Sequence, residues 1–168
     1  LTLNILIKNK EFEEALKLVE FAYNSGIDAV IVQDLGLAKK IMELFPKLEV
    51  HSSTQMTIYN LDGVKEIEKL GYSRCVLARE LSIEEIKNIC KNTNIEIEVF
   101  IHGALCICYS GQCLMSSLIG GRSGNRGKCA GTCRLPYSLL KDGQEQEKGY
   151  LLSSKDVCTL DILPELIE

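Results

Sequence analysis

The chain has 168 residues, 46% of them hydrophobic, a net charge of −4 and eight cysteines. That apolar content supports a globular domain and excludes a disordered chain. The lack of a run of about 18 apolar residues excludes a membrane-spanning helix. The slightly acidic balance argues against non-specific coating of nucleic acid, but permits a local basic patch.

In chain order, LTLNILI (1–7) reads as a strand. Phe12, Ala15, Leu16, Val19, Ala22 and Tyr23 follow at helical spacing, with Gly26 as the stop. DAVIVQD (28–34) is a continuous apolar strand of the buried parallel kind. Leu37, Ile41, Leu44 and Phe45 mark a second helix, ended by Pro46. LEVHSS (48–53) is a third strand, and Val64, Ile67 and Leu70 mark a third helix ending at Gly71. RCVLARE (74–80) is a fourth strand. Ser82 and Glu85 form a capping box for the helix carrying Ile83, Ile86 and Ile89. Ile95, Ile97, Val99 and Ile101 then alternate in a fifth strand that runs out at Gly103.

Regular β-α repetition requires parallel strands and crossover helices. No glycine-rich turn follows the first strand, which disfavours a dinucleotide-binding sheet. The expected class is α/β: a partial TIM-like (β/α) barrel over 1–103, then a cysteine-rich Gly/Arg loop region over 104–168 continuing the same domain. A complete barrel takes about 250 residues. Leu1 is not an initiator methionine and the chain begins inside a strand, so the true N-terminus and further strands are expected beyond one or both ends. Polar residues gather where strands end: Asn4, Gln33 and Asp34; His51, Ser53, Thr54 and Gln55; Arg79 and Glu80; His102. Beyond Gly103, repeated glycines break any long helix. A polar turn around Asp142–Gly143 spans 141–148, YLLSS (150–154) reads as a short strand, and DILPELIE (161–168) as a helix.

Three cysteines fall within eight residues (Cys106, Cys108, Cys113), and Cys129, Cys133 and Cys158 follow. Disulfide frameworks belong to short secreted chains with small cores, whereas the first hundred residues here are regular helices and strands. Bound metal is the better reading, in a reducing compartment, hence the cytoplasm. Four thiolates hold zinc or an iron–sulfur cluster. Only Cys129 and Cys133 show zinc-like spacing, and ligands spread over separate loops suit a cluster better. Cys106, Cys113, Cys129 and Cys158 are the candidate ligands, Cys108 and Cys133 stay open, and Cys75 and Cys90 read as small buried hydrophobes. A cysteine nucleophile is the competing reading, since Cys106 lies four residues after His102. No serine-hydrolase or zinc-protease signature is present.

GGRSGNRGK (120–128) places Arg122, Arg126 and Lys128 on a glycine-rich loop suited to a phosphate backbone, with Tyr109 and Tyr137 available to stack on a base. The alternative is a solvated loop. In HSSTQ (51–55), five polar side chains end a strand and offer donors and acceptors, so the run reads either as strand capping or as substrate recognition.

The run E-x-F-x-x-G-A-L-C-x-x-x-x-G-x-C-x-M-S, filled by Glu98, Phe100, Gly103, Ala104, Leu105, Cys106, Gly111, Cys113, Met115 and Ser116, resembles the peptidase U32 family of collagenase-like peptidases. VIVQDLG (30–36), HSSTQM (51–56), VLARELS (76–82), GGRSGNRGKCAGTCRLPY (120–137) and LLSSKDVCTLDILPELI (151–167) extend the resemblance over nearly the whole chain. It implies a barrel-like catalytic domain lacking its early strands. It also implies a 4Fe–4S cluster on Cys106, Cys113, Cys129 and Cys158, with Cys133 able to replace one ligand and Cys108 without a counterpart. Better understood members hydroxylate bases of tRNA or rRNA without molecular oxygen, with prephenate implicated as hydroxyl source. On that reading His51, Gln55 and His102 receive the base or a small organic acid, while Arg122, Arg126 and Lys128 steer phosphates. Two alternatives remain: a collagenase-like peptidase acting on a protein substrate, and a non-catalytic zinc or cluster module binding a protein partner.

Overall fold

The computed structural model describes residues 1–167. They form two compact units, dividing between Val99 and Phe100. The expected division after Gly103 lies four residues further along the chain.

The first unit alternates strands β1 (Thr2–Leu3), β2 (Ala29–Val32), β3 (Glu49–Ser52), β4 (Arg74–Val76) and β5 (Glu96–Glu98) with helices α1 (Phe12–Asn24), α2 (Leu35–Leu44), α3 (Leu61–Lys69) and α4 (Ile83–Lys91). All strand pairs are parallel and the spatial order is β1-β2-β3-β4-β5. Doubly wound sheets reverse direction partway. A sheet that never reverses, with right-handed crossovers, keeps its helices on one face. The unit is therefore an α/β arc of the barrel type.

Side-chain alternation divides the sheet. Val30, Val32, Val50 and Cys75 pack with Val19, Leu37, Ile41, Val64, Ile67 and Ile89 of the helices in one apolar core. By register, the other face carries Ile31, Glu49, His51, Arg74, Glu96 and Glu98. There Arg74 donates to Glu96 at 2.6 Å and to Glu98 at 3.3 Å. These bonds, Glu96 first, hold the guanidinium still more firmly protonated.

Local signals explain the helix ends. Asp34 caps α2, accepting from the Leu37 amide at 2.9 Å, and also accepts from the Ile7 amide at 3.3 Å. This strand-end carboxylate is thus structural. The expected capping box of α4 is present: Glu85 accepts from the Ser82 amide at 2.8 Å, which holds its carboxyl below the usual range.

Four expectations need correction. The first strand is only two residues long, because the chain turns away to bond Asp34. The fifth ends at Glu98, and His102–Ala104 is a separate strand (β6) in the second unit. The alternation runs unbroken through both, and periodicity does not say which partner a strand takes. Cys90 is exposed, because the inward stripe of α4 is set by Ile86 and Ile89 and the next position turns about 100° away. YLLSS is not a strand. Asp142 and Gly143 both adopt positive φ (52° and 77°), closing a hairpin between β7 (Tyr137–Lys141) and β8 (Gln144–Gly149). Its strands are almost wholly exposed, so no apolar alternation announced them.

The second unit also contains α5 (Met115–Gly120), β9 (Asp156–Cys158), which pairs antiparallel with β6, and α6 (Leu163–Ile167). The expected terminal helix is therefore present, and its last residue lies outside the described ones. No helix is long and apolar enough to cross a membrane among the described residues. The buried apolar residues all lie in the first unit, the last being Ile95; beyond it, among the described residues, Ser110, Ser116 and Thr132 are the buried ones.

Tyr72 is 5% exposed and its hydroxyl has no hydrogen-bond partner among the described residues. Burial first, then the charge of Asp34, push it up to about 12. The unfolded chain releases this proton near about 10, so stability is lost as pH rises from there toward 12. Tyr72→Phe is expected to match or exceed the parent's stability at pH 7 by up to about 1 kcal/mol and to flatten that alkaline loss, checked by urea unfolding across the two pH ranges.

Candidate cysteine centre and its basic loop

Six of the eight cysteines lie in the second unit, none in a disulfide. Cys106 and Cys108 occupy the loop after β6, Cys113 precedes α5, and Cys129 and Cys133 flank the turn after the basic loop. Burial, then the neighbouring thiols of Cys113, Cys106 and Cys133, raise the Cys108 thiol above its ordinary range. Cys108, which the resemblance leaves out, thus lies within electrostatic reach of Cys113, Cys106 and Cys133.

Cys129 is approached through Gly124. A Cβ added at that glycine would lie 3.8 Å from the Cys129 Cβ and 3.9 Å from the Cys113 carbonyl oxygen. The Cys129 sulfur accepts from the Gly131 amide at 3.4 Å and from the Ser116 hydroxyl at 3.9 Å. Ser116 is 2% exposed, and its Oγ also accepts from the Ala130 amide at 3.0 Å. Cys158 ends β9, exposed, directly opposite His102 on β6.

The donor set is all thiol, which suits soft metals and iron–sulfur clusters. Among the described residues, no three His, Cys, Asp or Glu side chains are already gathered tightly enough to hold a single metal ion. In a cluster each thiolate binds a different iron, so loosely grouped sulfurs backed by N–H and O–H donors fit a cluster in their chemistry.

The basic loop belongs to the same unit. Arg122 and Lys128 are exposed and Arg126 is half-buried. The Lys128 amide donates to the Ser123 oxygen at 3.0 Å, and the Gly127 amide to the Gly124 oxygen at 3.2 Å, so the loop is a compact pair of turns leading directly into Cys129. Tyr109 stays exposed. Tyr137 instead fastens the next turn, its hydroxyl donating to the Thr132 oxygen at 2.9 Å.

His51 and Gln55 lie in the first unit and His102 in the second. His51 sits within β3, 6% exposed, on the helix-free face, 3.2 Å from the Glu49 carboxylate. Gln55 follows on a tight turn whose backbone accepts from Gln33 Nε2 at 3.2 Å, while Thr54 donates to the Leu77 oxygen at 3.0 Å. This turn thus ties together the C-terminal ends of β2, β3 and β4.

The model of Peptidase family U32 matches residues 1–168. The chain belongs to peptidase family U32. It is 46% identical over 159 residues to the 23S rRNA 5-hydroxycytidine C2501 synthase of Escherichia coli strain K12, covering 92% of this chain and 24% of that protein. It is 37% identical over 150 residues to tRNA hydroxylation protein P of the same organism, covering 89% and 33%. It is 31% identical over 183 residues to a collagenase of Porphyromonas gingivalis, covering 100% and 44%. The chain thus spans between about a quarter and less than half of these U32 relatives.

Ser116 and Arg134 are functional candidates that reading the cysteine pattern missed. Ser116 lies three residues after Cys113 and Arg134 next to Cys133, so proximity in sequence was the available signal. Ser116→Ala strips the Ala130 amide of its acceptor and Cys129 of a donor. It is expected to cost about 1 kcal/mol locally and to speed exchange of the Ala130 amide about fivefold, measured by hydrogen exchange on the reduced, metal-free protein.

Proposed function

We propose that this chain is the cysteine-bearing part of a cytoplasmic iron–sulfur enzyme that hydroxylates a base in tRNA or rRNA, with prephenate or a similar small organic acid supplying the hydroxyl group. The observation that carries the reading is a unit rich in thiols and poor in buried apolar side chains, with a basic loop running into one of its cysteines. A small unit without an apolar core needs another source of cohesion, and bound metal is one. The names of two U32 relatives, a 23S rRNA synthase and a tRNA hydroxylation protein, support the choice of substrate.

On this reading Cys106, Cys113, Cys129 and Cys158 would hold a 4Fe–4S cluster, with Cys133 or Cys108 able to replace one of them, and zinc is the alternative occupant. Bound there, the cluster would supply electron transfer or an electrophilic iron. The chain's own residues do the rest. Ser116 and Gly131 donate to the Cys129 sulfur and so orient it. Arg122, Arg126 and Lys128 attract phosphates, and the turns of the loop offer backbone amides beside them. The Gln55 turn and His51 are assigned contacts with the base or the organic acid.

Purification without oxygen is expected to give brown protein carrying about four iron and four sulfide per chain. Each of Cys106→Ser, Cys113→Ser, Cys129→Ser and Cys158→Ser should lower that content severalfold. Folded, colourless, iron-free protein would overturn the reading. Arg122→Gln with Lys128→Gln should weaken RNA binding and reduce the slope of log affinity against log salt by about 1.4 for a single strand, read by titration at several salt concentrations.

A peptidase is the second reading, favoured by the placement of His102 opposite Cys158 and by the collagenase among the U32 relatives. Proteolysis that survives metal removal and is abolished by Cys158→Ala would establish it; proteolysis that survives both would identify a contaminant.

A further inference from the structure

Arg134 follows Cys133 directly, and its half-buried guanidinium reaches two distant segments. Nη1 donates to the Ser153 hydroxyl at 2.8 Å and to the Ser154 carbonyl at 2.7 Å. Nη2 donates to the Leu105 carbonyl at 2.7 Å, and the Ser154 hydroxyl donates to that same oxygen at 2.5 Å. Leu105 is the residue before Cys106. Ser153 and Ser154 lead into β9, which ends at Cys158. One planar side chain therefore joins the three stretches that bear Cys106, Cys133 and Cys158, from positions 29 and 20 residues apart in sequence.

We infer that Arg134 is a positioning residue that holds these three cysteine-bearing segments in place before any cofactor arrives. The chemistry favours arginine specifically. A guanidinium offers five donors in a fixed plane, so it bridges carbonyls on separate segments at once, which the point-like ammonium of lysine does not. The need for such a bridge follows from the composition of the unit, where no buried apolar side chain is available among the described residues to fix the loops. All three acceptors, the Ser153 hydroxyl and the Ser154 and Leu105 carbonyls, are neutral oxygens. The positive charge thus stays available to offset negative charge on the thiolates at either end of the bridge. This second part rests on the cluster reading; the first does not.

The test compares Arg134→Gln, Arg134→Lys and Ser154→Ala in the full-length protein. In the reduced, metal-free state, Arg134→Gln should speed amide exchange together at 104–108 and 153–158, with no change in the first unit. Arg134→Lys should recover part of the protection. Ser154→Ala, which keeps the arginine, should loosen the same two stretches less. Change confined to 132–136, or none, would overturn the inference even if the wild-type protein held no iron. After anaerobic reconstitution, Arg134→Gln should release iron to a chelator at least tenfold faster than wild type, with Arg134→Lys between them. Wild-type release rates in Arg134→Gln would overturn the role in holding the cofactor. If Arg134→Gln fails to fold, Ser154→Ala and Arg134→Lys decide the matter through the same two stretches.

Discussion

The second unit must hold six cysteines, most of them on loops and tight turns, without an apolar core, and nearly everything else about it follows from that constraint. Hydrophobic burial is the usual source of cohesion in a small domain. Here, among the described residues beyond Val99, the fully sheltered side chains are serines and a threonine. Order comes instead from directed polar contacts: the Arg134 bridge, the Ser116 hydroxyl shared between Ala130 and Cys129, and the Tyr137 hydroxyl on the Thr132 oxygen. Such bonds contribute only about 1 kcal/mol each. They fix geometry more effectively than they supply stability.

The first unit obeys the opposite rule. Its strands follow one another in space without reversal, so one face is buried under helices and the other is left with Glu49, His51, Arg74, Glu96 and Glu98. Half-exposed ion pairs like that of Arg74 add little stability. The apolar core carries the fold and leaves the polar face free to be chosen for other reasons. The turn bearing Gln55 is held by three strand ends, which makes it a rigid place for a recognition residue.

Membership in peptidase family U32 links these observations to proteins named for RNA hydroxylation and to one named a collagenase. The name of the family does not choose between them, because function resides in sites and not in folds. The loops set a thiol-rich stretch beside a basic one: burial and neighbouring thiols raise the Cys108 thiol, and arginine and lysine lie on the segment that enters Cys129.

Much of this was legible in the sequence where the signal was local and periodic. The four helices announced themselves through apolar spacing, the Ser82–Glu85 pair marked the start of α4, and the order of strands and helices implied a parallel sheet. The run of cysteines and glycines separated a chemical region from a scaffold, because thiols gather in loops only when something other than packing requires them. Tertiary structure alone decided the rest. Alternation from Ile95 to Ile101 does not reveal that the chain changes partner midway, and exposed hairpin strands carry no apolar pattern to read. The surroundings of Cys108 and the bridge made by Arg134 depend on contacts between residues far apart in the chain. A sequence records which groups are present and how they repeat; which of them meet is fixed only when distant segments close upon one another.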